Sequence, residues 1–248
     1  WQILPLGPSD DGNPYVAQST WAGSPLLLSL EFLVRSGDLS ESELSAAQVE
    51  PQSLIDYPQV MQLKRPLLLK AAARFFSSAK PEQRARYERF VKEERAWLVD
   101  WTLFAVLKSR HDTLPWWLWP KPYALRDPAA LAAFAEENET ALAVECYLQF
   151  RFYEQLLTLR ERAENAGIGL IGDLPIYCAR DSADVWAHRT AFLLDAEGEP
   201  KEVSGVPPDY FAVDGQLWGT PVYDWAQQAA DGYAFWIARL RGALRQAD

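Results

Sequence analysis

Acidic side chains at three places in this chain stand among residues that give them chemical use. Asp173 follows the apolar run Ile168-Gly169-Leu170-Ile171, within Gly172-Asp173-Leu174-Pro175, which continues into Ile176-Tyr177. A helix-like segment closed by Gly167 precedes it, so the run reads as a buried parallel strand entered from a helix. A carboxylate at the end of such a strand, beside a proline, points into a crevice rather than a ladder and can accept hydrogen bonds there. Asp209 lies in Gly205-Val206-Pro207-Pro208-Asp209-Tyr210-Phe211. Paired prolines, a carboxylate and two aromatics seldom share an ordinary loop, so Asp209 and Tyr210 are candidate ligand contacts. The other readings stay open: Asp173 as a strand-end cap, Asp209 and Tyr210 as a brace for a proline-fixed turn. Asp181 and Asp184 fit an N-cap and a helix-dipole carboxylate, which needs no catalytic role.

Bulk properties narrow the ligand. Lys and Arg total 24 against 34 Asp and Glu, a formal net charge of −10 with no long block of either sign. That argues against a nucleic-acid backbone as partner and fits a neutral or cationic ligand. Cys146 and Cys178 lack metal-ligand spacing, and His111 and His188 are too scattered for a metal centre. A disulfide scaffold is not expected, and a reducing cytoplasm is the default compartment. No apolar run approaches a membrane span and no signal peptide is visible. Eleven Trp contribute to an aromatic content of 13%. Trp116-Trp117-Leu118-Trp119, set between Pro115 and Pro120, is not expected to point wholly inward. Flat rings offer apolar faces to the C–H faces of sugars, which makes a saccharide the first ligand to consider. The cluster is either a remote sugar platform or an interface between subdomains, the second being favoured.

The elements that would position these residues are two strands and many helices. Trp1-Gln2-Ile3-Leu4-Pro5-Leu6 forms a strand stopped by Gly7-Pro8, with a turn-rich loop, Asp10-Asp11-Gly12-Asn13-Pro14-Tyr15, at its end. An apolar helix start runs from Leu26 to Val34. Ser40 is placed to cap a helix that carries Glu43 at its third position. From Asp56 to Gly167 the pattern is helical. One aromatic stripe runs through Tyr87, Phe90, Val91, Trp97, Leu98, Trp101, Phe104 and Leu107, and reads as core. A second stretch runs through Phe134, Leu142, Tyr147, Phe150, Phe152, Leu156, Leu159 and Ala163. Asp127-Pro128 supplies a cap and a first helical residue. Phe192–Asp195 and Pro200–Val203 predict a hairpin with the Pro-Pro-Asp-Tyr-Phe segment on its exit. Gln216–Pro221 predicts an aromatic loop, and Gly232–Gln246 a last helix with Tyr233, Trp236, Ile237 and Leu240 on one face. Two strands with roughly 160 helical residues between them exceed an ordinary crossover. The economical arrangement makes them neighbours in an α/β sheet or barrel, with a helical insertion.

Six motifs, taken in order, resemble the amylomaltases, the 4-α-glucanotransferase or disproportionating-enzyme family (glycoside hydrolase family 77). They are Trp-Gln-Ile-Leu-Pro-Leu-Gly-Pro from Trp1, Leu-Lys-Arg-Pro-Leu-Leu from Leu63, Gly-Asp-Leu-Pro-Ile-Tyr from Gly172, Asp-Ser-Ala-Asp-Val-Trp from Asp181, Gly-Val-Pro-Pro-Asp-Tyr-Phe from Gly205 and Gln-Leu-Trp-Gly from Gln216. The resemblance implies an α/β fold, a partial TIM (β/α)8 barrel with a large, mainly helical insertion. Its parts would be residues 1–25 (barrel strand and active-site loop), 26–166 (helical insertion) and 167–248 (barrel strand, hairpin, substrate-covering loops and final helix). Together these would make one incomplete catalytic domain. It also implies retaining transfer on α-1,4-glucans without a cofactor. One carboxylate attacks the anomeric carbon and a second, roughly 5 Å away, protonates the leaving oxygen.

In the family the nucleophile is the Asp of an Arg-x-Asp-His motif and the acid/base a later Glu. No Arg-x-Asp-His occurs in these 248 residues. The expectation is therefore an internal piece of a glucanotransferase, starting at Trp1 inside a strand. Other readings are a non-catalytic α-glucan-binding fragment and an amylase-like hydrolase. By resemblance Asp173 is a supporting carboxylate that shapes the donor-sugar subsite, and Tyr15 a stacking platform. Trp218 and Gly219 line the glucan groove, and Pro208, Asp209 and Tyr210 belong to a loop that folds over the bound chain. For Tyr15 and Trp218 plain packing is the competing reading. The chain departs from the family at Asp10-Asp11-Gly12-Asn13, which replaces a Gly-aromatic turn. It departs also at Ser24 and Thr220, where Asn is usual, and at Cys178, where Val is common.

Overall fold

Many helix starts follow side-chain chemistry in the computed structural model, which describes residues 1–9, 12–46 and 54–248. The expected turn at Asp10 and Asp11 thus lies outside the described residues. The apolar run from Leu26 divides at Ser29, which caps α1 (Leu30–Arg35). Ser40 and Glu43 form a reciprocal capping box on α2 (Glu41–Ser45). Asp56 caps α3 (Tyr57–Ser78), Pro81 opens α4 (Pro81–Glu93), and a break at Glu94 precedes α5 (Arg95–Arg110). The stripe expected to run unbroken from Tyr87 to Leu107 is therefore shared between two helices. After α6 (Lys121–Ala124), Asp127 caps α7 (Pro128–Glu137). Asn138 then separates α7 from the long α8 (Glu139–Asn165), and Gly167, at φ 71°, closes it in the left-handed region.

Helix α8 is shared by two cores. Its Tyr147, Phe150, Phe152 and Leu156 belong to one, with Leu67, Leu68, Ala71 and Phe75 of α3 and Leu33 of α1. Leu98, Trp101, Phe104 and Leu107 of α5 centre the other core, with Trp116, Trp119, Val185, Trp186, Phe192, Tyr223 and Phe235. Leu159, expected in the apolar stripe, stays exposed. Several polar groups inside these cores are paired. Asp38 accepts from the Tyr147 hydroxyl at 2.6 Å and meets Arg151 at 2.6 Å, with Arg151 only 1% exposed. Gln149 grips the buried backbone of Gly23, accepting from its N–H at 2.8 Å and donating to its carbonyl at 3.0 Å. Gln155 does the same to Ser29, at 2.7 and 3.2 Å.

The two apolar runs meet as expected, in parallel, through a bridge between Gln2 and Ile171. Ile3 donates to Ile171 at 2.9 Å, and Ile171 donates to Trp1 at 2.9 Å. The contact is shorter than the expected strands because the backbone turns away at Pro5 and Gly172. Leu194 pairs antiparallel with Pro200, as the hairpin reading requires. A second hairpin was not expected: β1 (Val203–Val206) pairs antiparallel with β2 (Gln216–Pro221). The stretch read as an aromatic loop is thus a strand, its hydrogen bonds supplied by the segment before the paired prolines.

Helices α9 (Ala183–Ala187), α10 (Trp225–Ala230) and α11 (Ala234–Gln246) complete the fold. On α11 the buried face is Phe235, Arg239 and Gly242, whereas Tyr233, Ile237 and Leu240 are exposed. Trp236 of the expected face packs half-buried against the core, but the rest of that face is exposed because Gly242 lets the opposite side approach Trp21, where a Cβ would lie 2.6 Å from the ring. Among the described residues no helix is long and apolar enough to cross a membrane.

Two stability outcomes follow from these contacts. Gln149→Leu keeps the side-chain volume but strands the Gly23 N–H and carbonyl, so urea unfolding should show a loss of about 2–4 kcal/mol. Glu43 is held down from 4.5 to about 2 by Arg74 and by the Ser40 backbone and hydroxyl. A depressed carboxyl contributes stability above its unfolded value, and that contribution drains away as pH falls from about 4.5 towards 2. In thermal melts across that window, Glu43→Gln should flatten the acid limb.

Candidate functional site

Asp173 lies immediately past the parallel contact, where Gly172 leaves the strand, and is half-buried. Its Oδ2 accepts from the Tyr15 hydroxyl at 2.7 Å, a contact that spans 158 positions of sequence. Tyr15 sits in a one-turn 3-10 helix, Pro14–Val16, whose Asn13 cap accepts from the Tyr15 N–H at 3.0 Å. That cap aims the phenol, and half of its surface remains exposed (48%). Donation to Asp173 holds the Tyr15 hydroxyl above its usual pKa of 10.0. The pair lines a cavity of about 320 Å³, walled by Leu4, Pro175, Tyr177 and the Leu240–Leu244 side of α11. This is within the size range of small-molecule pockets.

Two other carboxylates line the same cavity, and both are engaged. Asp184 is 3% exposed and accepts from both the N–H and the hydroxyl of Thr20. Burial pushes its pKa up from 3.8. Asp248 accepts from the Leu170 N–H at 2.8 Å and from Arg160 at 2.7 Å, which hold its carboxyl below the usual range. Cys178 is a buried wall residue whose thiol burial pushes up to about 12, so it is no nucleophile. Both cysteines are free. Among the described residues, no group of three His, Cys, Asp or Glu is arranged to hold a metal ion.

The remaining expected site residues stand on the β1–β2 hairpin. The Trp218 ring meets Tyr177 edge-on at 6.2 Å, which joins it to the aromatic wall of the cavity. Gly219 has φ 73°, so β2 kinks beside Trp218. Pro208, Asp209 and Tyr210 occupy the hairpin tip and are not among the cavity's lining residues. Asp209 turns its carboxylate back on its own loop, accepting from the N–H groups of Phe211 at 2.9 Å and Ala212 at 2.8 Å. These are the bonds that the bracing reading of Asp209 requires. Tyr210 and Phe211 are 94% and 90% exposed, so the tip holds two large rings in solvent.

Other expectations need correction. Ser182, not Asp181, caps α9, with its Oγ accepting from Val185 N–H at 3.2 Å. Asp181 instead pairs with Lys108 and accepts from the Trp116 N–H. Asp184 does sit in the first turn of α9, but its work is to fasten Thr20. Trp116 and Trp119 are buried, and Trp116 donates to the Arg180 carbonyl at 2.7 Å. The cluster thus joins the helical region to the segment after Asp173, and a sugar platform there is ruled out for both rings. Trp117 is half-buried under the Arg180 guanidinium, 3.8 Å from its centroid.

Residues with no sequence signal build the floor. Arg239, Tyr223 and Thr20 lie far apart in sequence, and only a buried arginine's need for acceptors connects them. Arg239 donates to Pro175 O at 2.8 Å, Ile176 O at 3.2 Å, the Tyr223 hydroxyl at 2.7 Å and Thr20 Oγ1 at 3.3 Å. Tyr223 in turn donates to Ile176 O at 2.7 Å.

Comparison with known proteins places the chain. The 4-alpha-glucanotransferase family model matches residues 1–248. A 4-alpha-glucanotransferase of Thermus thermophilus is 42% identical over 249 residues, covering 98% of this chain and 48% of the relative. A chloroplastic/amyloplastic 4-alpha-glucanotransferase of Solanum tuberosum is 39% identical over 250 residues, covering 98% of this chain and 43% of the relative. Among solved structures, an amylomaltase from Streptococcus agalactiae in complex with acarbose superposes with a TM-score of 0.93 at 31% identity, over 100% of this chain and 50% of that one. An amylomaltase from Corynebacterium glutamicum shares the fold, with a TM-score of 0.77 at 19% identity over 99% of this chain and 34% of that one. The chain spans about half the length of the curated relatives it matches. On the family match over its whole length and these identities, the chain belongs to the 4-alpha-glucanotransferase family.

Proposed function

We propose that the protein carrying this chain transfers α-1,4-glucan segments to another glucan or to glucose by a retaining double displacement, and that these residues hold and enclose the donor sugar. The observation that carries this reading is the Asp173–Tyr15 contact in a cavity bordered by Tyr177. A half-buried carboxylate accepts strongly from sugar hydroxyls, and a half-exposed ring beside it stacks on the apolar face of the same sugar. Trp218, joined through Tyr177, extends that surface along a groove, with Gly219 leaving room for the chain. Pro208 and Tyr210, on a tip braced by Asp209, are placed to cover the bound glucan. Covering excludes water and leaves a sugar hydroxyl as the better acceptor, which favours transfer over hydrolysis.

The bond-breaking carboxylates must stand roughly 5 Å apart. Asp184 and Asp248, held by Thr20 and by Arg160, are not assigned to that task. In this reading Asp173 binds and does not attack, the nucleophile coming from an Arg-x-Asp-His motif and the acid/base from a later Glu. The parallel Gln2–Ile171 contact and the helices between its halves support a partial (β/α)8 barrel with an insertion at 26–166, flanked by 1–25 and 167–248. A glucan-binding module without turnover, and an amylase-like hydrolase, are the readings to be excluded.

Incubating the full-length protein with a single malto-oligosaccharide separates them. Transfer gives a ladder of longer and shorter chains, hydrolysis gives shorter chains only, and a binding module gives neither. Asp173→Ala should lower transfer kcat/KM by about 10²-fold, the worth of a charged hydrogen bond. Its melting temperature should stay near that of the unaltered protein; a large drop with normal activity in the folded fraction would favour the strand-end cap. Tyr210→Ala should raise the ratio of hydrolysis to transfer by several-fold on the same product assay, as water gains access.

A further inference from the structure

We propose that Arg239 is the positioning residue of the donor site: its guanidinium fixes the Asp173 turn, the Tyr15 loop and the exit of β2 relative to one another. The inference rests on the transferase reading and names a residue that touches no substrate. Its starting point is an unmet need. Past Ile171 the chain leaves the parallel contact, and among the described residues no backbone–backbone hydrogen bond holds Gly172 to Ile176. Pro175 has no N–H to offer. The carbonyls of Pro175 and Ile176, two and three residues past Asp173, are instead taken by Arg239. The same side chain reaches Thr20, five residues past Tyr15, and Tyr223, five residues past Trp218. Three segments that carry expected sugar contacts thus converge on one buried cation, 1% exposed.

The chemistry suits an arginine and no other residue. The planar fork carries five donors in fixed directions, enough to serve two carbonyls and two hydroxyls together. A lysine keeps the charge but presents one point, and cannot span anchors on three segments. The buried charge is balanced by Asp184, which reaches it through the Thr20 hydroxyl. Trp236 covers the guanidinium face at 4.7 Å and Phe235 lies at 5.8 Å, so the fork cannot swing away without losing ring contact. Because Asp173 and Tyr15 bond to each other across two of the anchored segments, a shift at Arg239 moves one relative to the other.

The test is a double-mutant cycle in the full-length protein, with kcat and KM for transfer from a malto-oligosaccharide and a thermal melt for each variant. Arg239→Lys should lower kcat/KM by about tenfold or more while the variant stays folded at the assay temperature. In an Asp173→Asn background the same substitution should cost distinctly less, since the part of its effect that passes through Asp173 is gone while the parts that pass through Tyr15 and Trp218 remain. Tyr223→Phe keeps the ring packing, removes one anchor, and should give a smaller effect that shrinks in the same background; it carries the test if Arg239→Lys does not fold. Equal effects of these substitutions with and without Asp173, or unchanged kcat/KM in folded variants, overturn the inference and leave Arg239 a packing residue. An unaltered protein that transfers nothing overturns the transferase reading first and this inference with it, so the two failures are told apart.

Discussion

Among the described residues, backbone polar groups in the loops around Tyr15 and Asp173 have almost no sheet to satisfy them, and side chains of helices do it in the sheet's place. Gln149 and Gln155, on α8, each clasp both backbone groups of one residue, Gly23 and Ser29. Arg239, on α11, takes two carbonyls past Asp173. An unpaired buried N–H or carbonyl costs about 1–3 kcal/mol, a large share of a domain's net stability. These clamps therefore set where the loops can lie, and a rigid long helix such as α8 is a good frame from which to set them. Gly23 fits this scheme because any Cβ there would sit 2.1 Å from the Phe152 ring.

Buried charge follows the same rule. Arg151 and Asp38 neutralise each other inside the α3–α8 core, and the Tyr147 hydroxyl completes the carboxylate's partners. Arg239 and Asp184 do so at one remove, through Thr20. A buried ion pair adds little net stability, but losing one member leaves the other stranded, so such pairs enforce a single arrangement. Burial also pushes the His188 imidazole below its usual pKa of 6.5, with Asp184 partly opposing the shift. The layer beneath the cavity is thus buried and largely paired, whereas Asp173 and Tyr15 above it keep exposed surface.

The β1–β2 hairpin has the opposite character. Its tip carries Tyr210, Phe211 and Val213 almost wholly in solvent, on two strands with no third neighbour among the described residues. Proline at 207 and 208 and the Asp209 turn keep its shape, but few contacts hold its position. A shaped tip on a lightly packed base is what a closing cover needs, since closure exchanges few existing contacts for new ones. On the proposed reading, the paired floor holds the donor sugar and the exposed tip encloses it.

Local chemistry was legible from the residues alone. Ser40 with Glu43, Asp127 with Pro128, and Gly167 ended or began helices where their capping groups or φ require it. Periodicity located the α5 and α8 cores, and six ordered motifs pointed to the family. Periodicity does not see a helix's partner, so it chose a mostly exposed face of α11, and propensity does not see a pairing strand, so Gln216–Pro221 read as loop. Asp181 and Ser182 are both good caps, and only the approach of Lys108 decides between them. What the tertiary structure alone decided is which distant groups share a hydrogen bond: Tyr15 with Asp173, and Arg239 with Thr20, Tyr223 and Pro175. Such pairs depend on donor and acceptor directions in three dimensions, which no spacing along the chain encodes.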